Sequence, residues 1–159
     1  MKPRVYIETS VVSYLTARPS QNIVTAAQQI LTHQWWVDAA AYDLCTSQLT
    51  IDEAARGDAG AAADRLAVLH TLPILGMTDA ARQLGDELVR SLAIPPKAIV
   101  DAYHVAIAAV HGVDYLLTWN CTHIANLQMR ALIEQVCRSA GFKPAAIGTP
   151  QELFSNGET

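Results

Sequence analysis

Three acidic residues and one amide occupy positions from which the fold could bring them together. Glu8 follows the strand-like run at 5–7, Glu53 lies in a helical stretch after the second predicted strand, and Asp101 opens a helix before the third. Asn120 follows that third strand directly. Carboxylate and amide oxygens are ligands for hard cations such as Mg²⁺ and Mn²⁺, and converging carboxylates repel one another unless a cation lies between them. This set of residues indicates a divalent-metal site.

Hydrolysis of a phosphodiester is the chemistry that suits such a site. A divalent cation beside a phosphate can lower the pKa of a bound water, orient the phosphate and neutralise charge on the leaving oxygen. Water on Mg²⁺ or Mn²⁺ would then be the attacking group. The reaction requires no nucleophilic side chain.

Strands and helices alternate along the chain, and this order predicts how the acids are positioned. Three segments have the composition of strands, and two weaker ones contain or precede proline and would be edge strands or loops. The strong segments are 4–8, 42–47 and 114–119, and the weak ones are 72–75 and 145–150. Helical patterns occupy 22–40, 46–57, 59–72, 78–92, 95–112 and 126–141.

We therefore predict an α/β fold, a three-layer α/β/α arrangement around a central, mostly parallel sheet of four to five strands. In such sheets ligands bind beyond the carboxyl ends of the strands, where the acids are expected. In the helix at 22–40, the apolar spacing places Ile23, Ala27, Ile30 and Leu31 on one face. Trp35 and Trp36 of that helix would serve the core or a dimer contact.

Length and composition bound the remaining possibilities. The 159 residues fit one domain, which we place at 1–150 with a C-terminal tail at 151–159. A net charge of −4 argues against a general nucleic-acid binder but suits an acidic metal site. Three cysteines without a C-x-x-C pair favour a reducing cytoplasm. The start of the chain lacks a signal-peptide pattern and no apolar run is long enough for a membrane span, so we expect no membrane partner.

Each candidate ligand also has an ordinary structural interpretation. Glu8 could stabilise the next helix, although Thr9 and Ser10 are better caps and would free it for a site. Asp52 and Glu53 are both helix acids, and only one of the two can face a cleft.

The same alternatives apply to the remaining positions. Asp101 could be an acid of the first turn, and Asn120 could cap a following helix. Lys97, His104 and His123 are candidate RNA contacts, with surface or structural roles as their alternatives.

Four stretches together resemble the PIN domain, and within it the VapC-type toxins of bacterial type II toxin–antitoxin systems. They are "VYIETSVVSYL", "TSQLTIDEAARGD", "DAYHVAIAAVHGVDYLLTWN" and "CTHIANL". In that family the first strand usually ends in Asp, a Glu follows a Ser by a few residues, a third acid opens a helix, and a later strand ends in Thr-x-Asp. Each motif is weak alone, but their order and spacing make the resemblance specific.

The resemblance assigns roles to residues of this chain. Glu8, Glu53 and Asp101 correspond to the three acids that hold the metal, and Asn120 stands where the family has a further acid. Ser10 and Thr118 correspond to hydroxyls that support the site. Two positions depart from the usual pattern, because Glu8 is longer than Asp by about 1.5 Å and Asn120 brings no charge.

The implied function is a Mg²⁺- or Mn²⁺-dependent endoribonuclease that acts as a toxin, forms a homodimer and is covered by a cognate antitoxin protein. One alternative is a PIN-like domain that binds RNA or a protein partner without cutting, as the neutral Asn120 suggests. Another is a phosphoryl-transfer hydrolase with an aspartyl nucleophile. That enzyme would need Asp at position 8, where this chain has Glu8.

Overall fold

A computed structural model describes residues 1–154 of the chain. In this part the strands are β1 (Arg4–Ile7), β2 (Asp43–Ser47), β3 (Ile74–Leu75), β4 (Tyr115–Leu117) and β5 (Ala146–Gly148). The helices are α1 (Thr9–Thr16), α2 (Ile23–Val37), α3 (Gln48–Ala54), α4 (Ala59–Leu69), α5 (Asp79–Arg90), α6 (Ile99–Val110) and α7 (Leu127–Ser139). Short 3-10 turns occur at Ala39–Ala41 and Pro96–Ala98.

The five strands form one sheet in the order β3-β2-β1-β4-β5, and all four pairings are parallel. The predicted parallel sheet is thus confirmed. The two proline-containing segments provide its edges, β3 and β5, as expected for strands beside a residue without an amide hydrogen.

Helices cover both faces of the sheet, which confirms the three-layer architecture. Side chains of β1 alternate between the faces. Tyr6 joins a core cluster built mainly from α5, α6 and α7. Val5 and Ile7 point the other way, into a cluster that includes residues of α1 and α2.

The strand order changes direction beside β1. The chain runs from β1 outward through β2 to β3, then crosses to the other side of β1 to form β4. The amide of Glu8 donates to the carbonyl of Leu117 at 3.2 Å, which holds the carboxyl ends of β1 and β4 together. Open α/β sheets bind ligands at such a switch point.

The apolar face predicted for α2 is not buried as a unit, because Ile23 and Ile30 are exposed at 86% and 58%, whereas Leu31 packs against a core cluster. Buried Gln29 and Thr32 face the protein instead. Gln29 bonds to backbone groups of the preceding loop, and Thr32 accepts a hydrogen bond from the indole of Trp119 at 2.8 Å. These polar residues, which apolar periodicity cannot reveal, share the inward side of α2 with buried Trp35.

Part of the predicted tail packs on the folded domain. The indole of Trp35 donates to the carbonyl of Leu153 at 2.8 Å, and Glu152 forms an ion pair with Arg130 at 3.1 Å. Positions 155–159 of the tail lie outside the described residues. No helix within residues 1–154 combines the length and apolar character needed to cross a membrane.

Candidate metal centre

Glu8 is the N-cap of α1 and is 5% exposed. Its Oε2 accepts hydrogen bonds from the amide of Ser10 at 3.0 Å, from the Ser10 hydroxyl, and from the Thr118 hydroxyl at 2.8 Å. The expectation that Thr9 and Ser10 would relieve Glu8 of capping is therefore wrong. Three donors on one oxygen fix the position of this carboxylate.

Glu53 faces Glu8 from α3. Its Oε1 accepts hydrogen bonds from the Thr9 hydroxyl at 2.8 Å and from Nε2 of His104. The neighbouring Asp52 is exposed and bonds to Gln48 at 2.9 Å. Of the two adjacent helix acids, Glu53 is the one that faces the cleft.

Potential ligand atoms of Glu8, Glu53 and His104 all lie within 4.8 Å of one another. Among residues 1–154, no protein hydrogen bond reaches Oε1 of Glu8 or Oε2 of Glu53. Each carboxylate thus has one oxygen tied by the protein and one available to a ligand. Two carboxylates this close together offer the oxygen ligands that a hard divalent cation such as Mg²⁺ or Mn²⁺ prefers.

The ionisation of this cluster is coupled. Burial alone raises the pKa of Glu53, but the hydrogen bond and positive charge of His104 outweigh it and lower that pKa below its usual value. Burial alone lowers the pKa of His104, yet its hydrogen bond to Glu53 and the surrounding carboxylates raise it overall. A protonated His104 therefore compensates part of the negative charge of the two glutamates.

Asp101 lies one helical turn before His104, in the first turn of α6. It is outside the tight cluster, and its Oδ2 lies 3.3 Å from Nδ1 of His123. The carboxylate of Asp101 is nevertheless close enough to contribute to the raised pKa of His104. Asp101 therefore borders the cluster formed by the two glutamates.

The segment after β4 is joined to the start of α1 by side-chain hydrogen bonds. The amide of Trp119 donates to the Ser10 hydroxyl at 2.8 Å, and the amide of Asn120 donates to the Thr118 hydroxyl at 2.9 Å. Asn120 also accepts a hydrogen bond from the amide of His123 at 3.1 Å, within the turn that follows β4. It does not cap the next helix as one alternative had it, because Asn126 is the N-cap of α7. Ser10 and Thr118 thus contact Glu8 and organise the loop that follows β4.

The three candidate RNA contacts have different environments. Lys97 is exposed on the 3-10 turn before α6, and His123 is partly exposed beside Asp101. His104 is fully buried, and Tyr6 and Glu53 occupy its two ring nitrogens. Without exposed surface His104 cannot touch RNA, so that candidate is withdrawn.

Sequence reasoning missed the hydroxyl groups beneath the site. Tyr6, Thr9, Ser47 and Thr50 all belong to hydrogen-bond networks that reach Glu53 directly or through His104. A tyrosine between Val5 and Ile7 is the one available signal, because a hydroxyl in a central strand needs a buried partner.

Comparison with known proteins agrees with this geometry. The model of the PIN domain family matches residues 5–120, which include all four segments that meet at the site. The chain belongs to the PIN domain family. No curated protein sequence matches the chain.

Two solved structures share the PIN fold with this chain. One is VapC20 of Mycobacterium tuberculosis, described as a sarcin-ricin loop cleaving toxin, with 16% identity and a TM-score of 0.54. The alignment covers 87% of this chain and 95% of VapC20. The other is VapBC2 of Rickettsia felis bound to a DNA fragment from its promoter, with 12% identity, a TM-score of 0.54 and coverage of 92% and 98%.

Proposed function

We propose that this PIN domain is a Mg²⁺- or Mn²⁺-dependent endoribonuclease and the VapC-type toxin of a toxin–antitoxin pair. The observation that carries the proposal is the cluster of Glu8, Glu53 and His104 at the switch point of the sheet, in which one potential ligand atom of each residue lies within 4.8 Å of the others. Family membership and the likeness to a toxin that cleaves the sarcin-ricin loop support the same chemistry.

The residues of the site have different roles in the proposed reaction. Glu8, Glu53 and Asp101 hold the cation, and Asn120 offers a neutral carbonyl oxygen. Such a cation, when bound, supplies positive charge to the scissile phosphate and acidifies a water molecule.

Other side chains prepare the site and its rim. Ser10 and Thr118 hold Glu8 through hydrogen bonds to a single oxygen, so its second oxygen keeps a constant direction. Lys97 and His123 lie near the helix start that carries Asp101 and are proposed to contact the RNA backbone.

The proposed setting is the cytoplasm, where RNA is the substrate and an antitoxin protein restrains the enzyme. The likeness to VapBC2 supports an antitoxin partner. We also propose that the protein forms a homodimer, as the resemblance to VapC-type toxins implies.

Cleavage of a mixed RNA pool by the purified protein tests the catalytic proposal. Wild type is expected to cut with Mg²⁺ or Mn²⁺ and to stop when EDTA is added. Glu8→Gln and Asp101→Asn should each reduce cleavage by more than the roughly 10- to 100-fold typical of losing an outer partner of a metal site.

Asp52→Asn provides the matched control, since it removes a charge beside Glu53 from a side chain whose one hydrogen bond within residues 1–154 is to Gln48. It should cut like wild type. Wild-type rates from Glu8→Gln and Asp101→Asn would contradict the proposed site.

A second candidate function is binding of RNA or a protein partner without cleavage, which the neutral Asn120 favours. Asn120→Asp separates the two. In a nuclease with a weakly held cation, the added charge should lower the Mn²⁺ concentration needed for cleavage. If wild type and Asn120→Asp both bind RNA in gel-shift measurements and neither cuts it with either cation, the binding function is the correct one.

A further inference from the structure

A chain of buried polar groups lies directly beneath the cluster of glutamates. His104 is completely buried, and its Nε2 bonds to Oε1 of Glu53. Its Nδ1 lies 2.6 Å from the hydroxyl of Tyr6. The imidazole thus connects the metal-facing carboxylate to the middle of the central strand.

Tyr6, like His104, is buried and hydrogen-bonded. It is fully buried within the larger core cluster, and its hydroxyl lies 2.6 Å from the Ser47 hydroxyl and 3.2 Å from the Thr50 hydroxyl. Ser47 also caps α3, the helix that carries Glu53. The network therefore joins β1, the β2–α3 junction and α6 around one carboxylate.

The hydrogen bonds of His104 occupy both nitrogens of its ring. An ionised carboxylate only accepts, so Nε2 carries the proton that bonds to Glu53. Nδ1 either accepts from the Tyr6 hydroxyl or donates to it, and in both cases it is occupied. Direct metal coordination by His104 would require one of these bonds to break.

We propose that His104, oriented by Tyr6, is a positioning residue that fixes Glu53 with its Oε2 toward the metal. The inference rests on the proposed function and explains why Oε1 of Glu53 receives both donors, Thr9 and His104. Buried second partners of this kind orient ligands at metal sites.

Mn²⁺ binding to the metal-free protein, measured by isothermal titration calorimetry, tests the inference without using catalysis. Tyr6→Phe removes only the hydroxyl and should weaken binding about tenfold, while His104→Leu should weaken it more, toward about 100-fold. His104→Gln keeps a donor near the position of Nε2 and should bind more tightly than His104→Leu.

Tyr103→Phe is the matched control. Tyr103 lies next to His104 on α6, and its hydroxyl bonds at 2.8 Å to Asp86, away from the glutamates. It should bind Mn²⁺ like wild type. Circular dichroism in EDTA reports whether each variant is folded.

Pulsed electron paramagnetic resonance of Mn²⁺-loaded wild type, with ¹⁵N-labelled histidine, distinguishes positioning from coordination even where a variant fails to fold. A positioning role predicts no hyperfine coupling of the size given by a directly bound nitrogen, and such a coupling would overturn the inference.

Unchanged Mn²⁺ affinity in folded Tyr6→Phe and His104→Leu would also overturn the positioning role of His104. If Glu53→Gln loses Mn²⁺ binding in the same experiment, the proposed function still stands. If wild type neither binds Mn²⁺ nor cuts RNA, the proposed function itself fails.

Discussion

Glu8 caps α1 with one carboxylate oxygen and leaves the other available to the proposed cation. The two uses are compatible because all three hydrogen bonds, from two groups of Ser10 and from Thr118, converge on Oε2. The choice between cap and ligand that the sequence leaves open is thus not exclusive. Glu8 directly follows β1, and Thr118 directly follows β4. The extra methylene of Glu, compared with Asp, lets the carboxylate of Glu8 reach the Thr118 hydroxyl.

Replacing Glu8 by the family's usual acid is therefore expected to weaken the site. Glu8→Asp shortens the side chain by about 1.5 Å, so the carboxylate cannot keep both the Thr118 bond and its present place. We expect Mn²⁺ affinity to fall about tenfold, as for loss of an orienting partner, measured by calorimetry. Tighter binding by Glu8→Asp than by wild type would show that the surrounding loops adapt to the shorter acid.

The His104–Glu53 pair predicts a pH dependence of stability in the metal-free protein. The raised pKa of His104 means that its contribution is complete below the ordinary value of 6.5 and is lost as pH rises through the higher folded value. The lowered pKa of Glu53 means that its contribution is present above 4.5 and is lost as pH falls.

Urea unfolding in EDTA tests this, with the free energy of unfolding falling as pH rises above 6.5. The groups that set the effect are Glu8 at the end of β1, Glu53 on α3 and Asp101 on α6 itself, with Tyr6 on Nδ1. His104→Gln should lose most of this slope. An equal slope in both proteins would assign the pH dependence to other groups.

At the scale of elements, α5 and α6 pack unusually closely at Gly85. A Cβ at that position would lie 2.3 Å from Cδ1 of Tyr103, whose hydroxyl is tied to Asp86 on α5. Any larger residue must move the Tyr103 ring or separate the helices. The N-terminal half of α6 carries Asp101 and His104, so this contact helps to position the site.

Gly85→Ala should therefore destabilise the protein. Alanine improves helix propensity by about 1 kcal/mol, but overpacking typically costs 1–3 kcal/mol, and a contact of this length requires the larger part of that range. Thermal unfolding should show a lower midpoint. Gly76→Ala is the control, because nothing lies within 4 Å of the added atom, and an equal loss there would refute the packing argument.

Prediction from sequence succeeded where the signal was local. The apolar residues 5–7 are followed by polar Glu8 and the apolar residues 44–45 by Thr46 and Ser47. These two segments form β1 and β2 close to the predicted bounds. Asp52 and Glu53 show the limit of local sequence signals. Which of two adjacent acids faces the cleft depends on which side of α3 packs against the protein, so only the resemblance to the PIN domain distinguished them.

The role of His104 could not be predicted from its sequence neighbours either. Its partners Tyr6 and Glu53 are 98 and 51 positions away, so only the assembled fold brings them together. Buried Thr32 on α2 likewise has its partner far along the chain, because it accepts a hydrogen bond from the indole of Trp119, 87 positions away.

For the whole molecule, the proposed homodimer gives a direct expectation. The chain has a mass of 17.2 kDa, and light scattering of the purified protein should give about twice this value. Exposed Ile23, Ile30 and Val37 on α2 provide apolar surface of the kind found at protein contacts. A mass of one chain at all concentrations measured would contradict the dimer.

The bond between Thr118 and Glu8 joins residues 110 positions apart, and this has a consequence for synthesis. Glu8, Glu53 and Asp101 all leave the ribosome before β4 does. Until β4 pairs with β1, Glu8 lacks the Thr118 donor, and its amide lacks the carbonyl of Leu117. Unfinished chains would carry the three acids without an assembled centre, so a cell that makes this protein would meet its proposed activity only when most of the chain is complete.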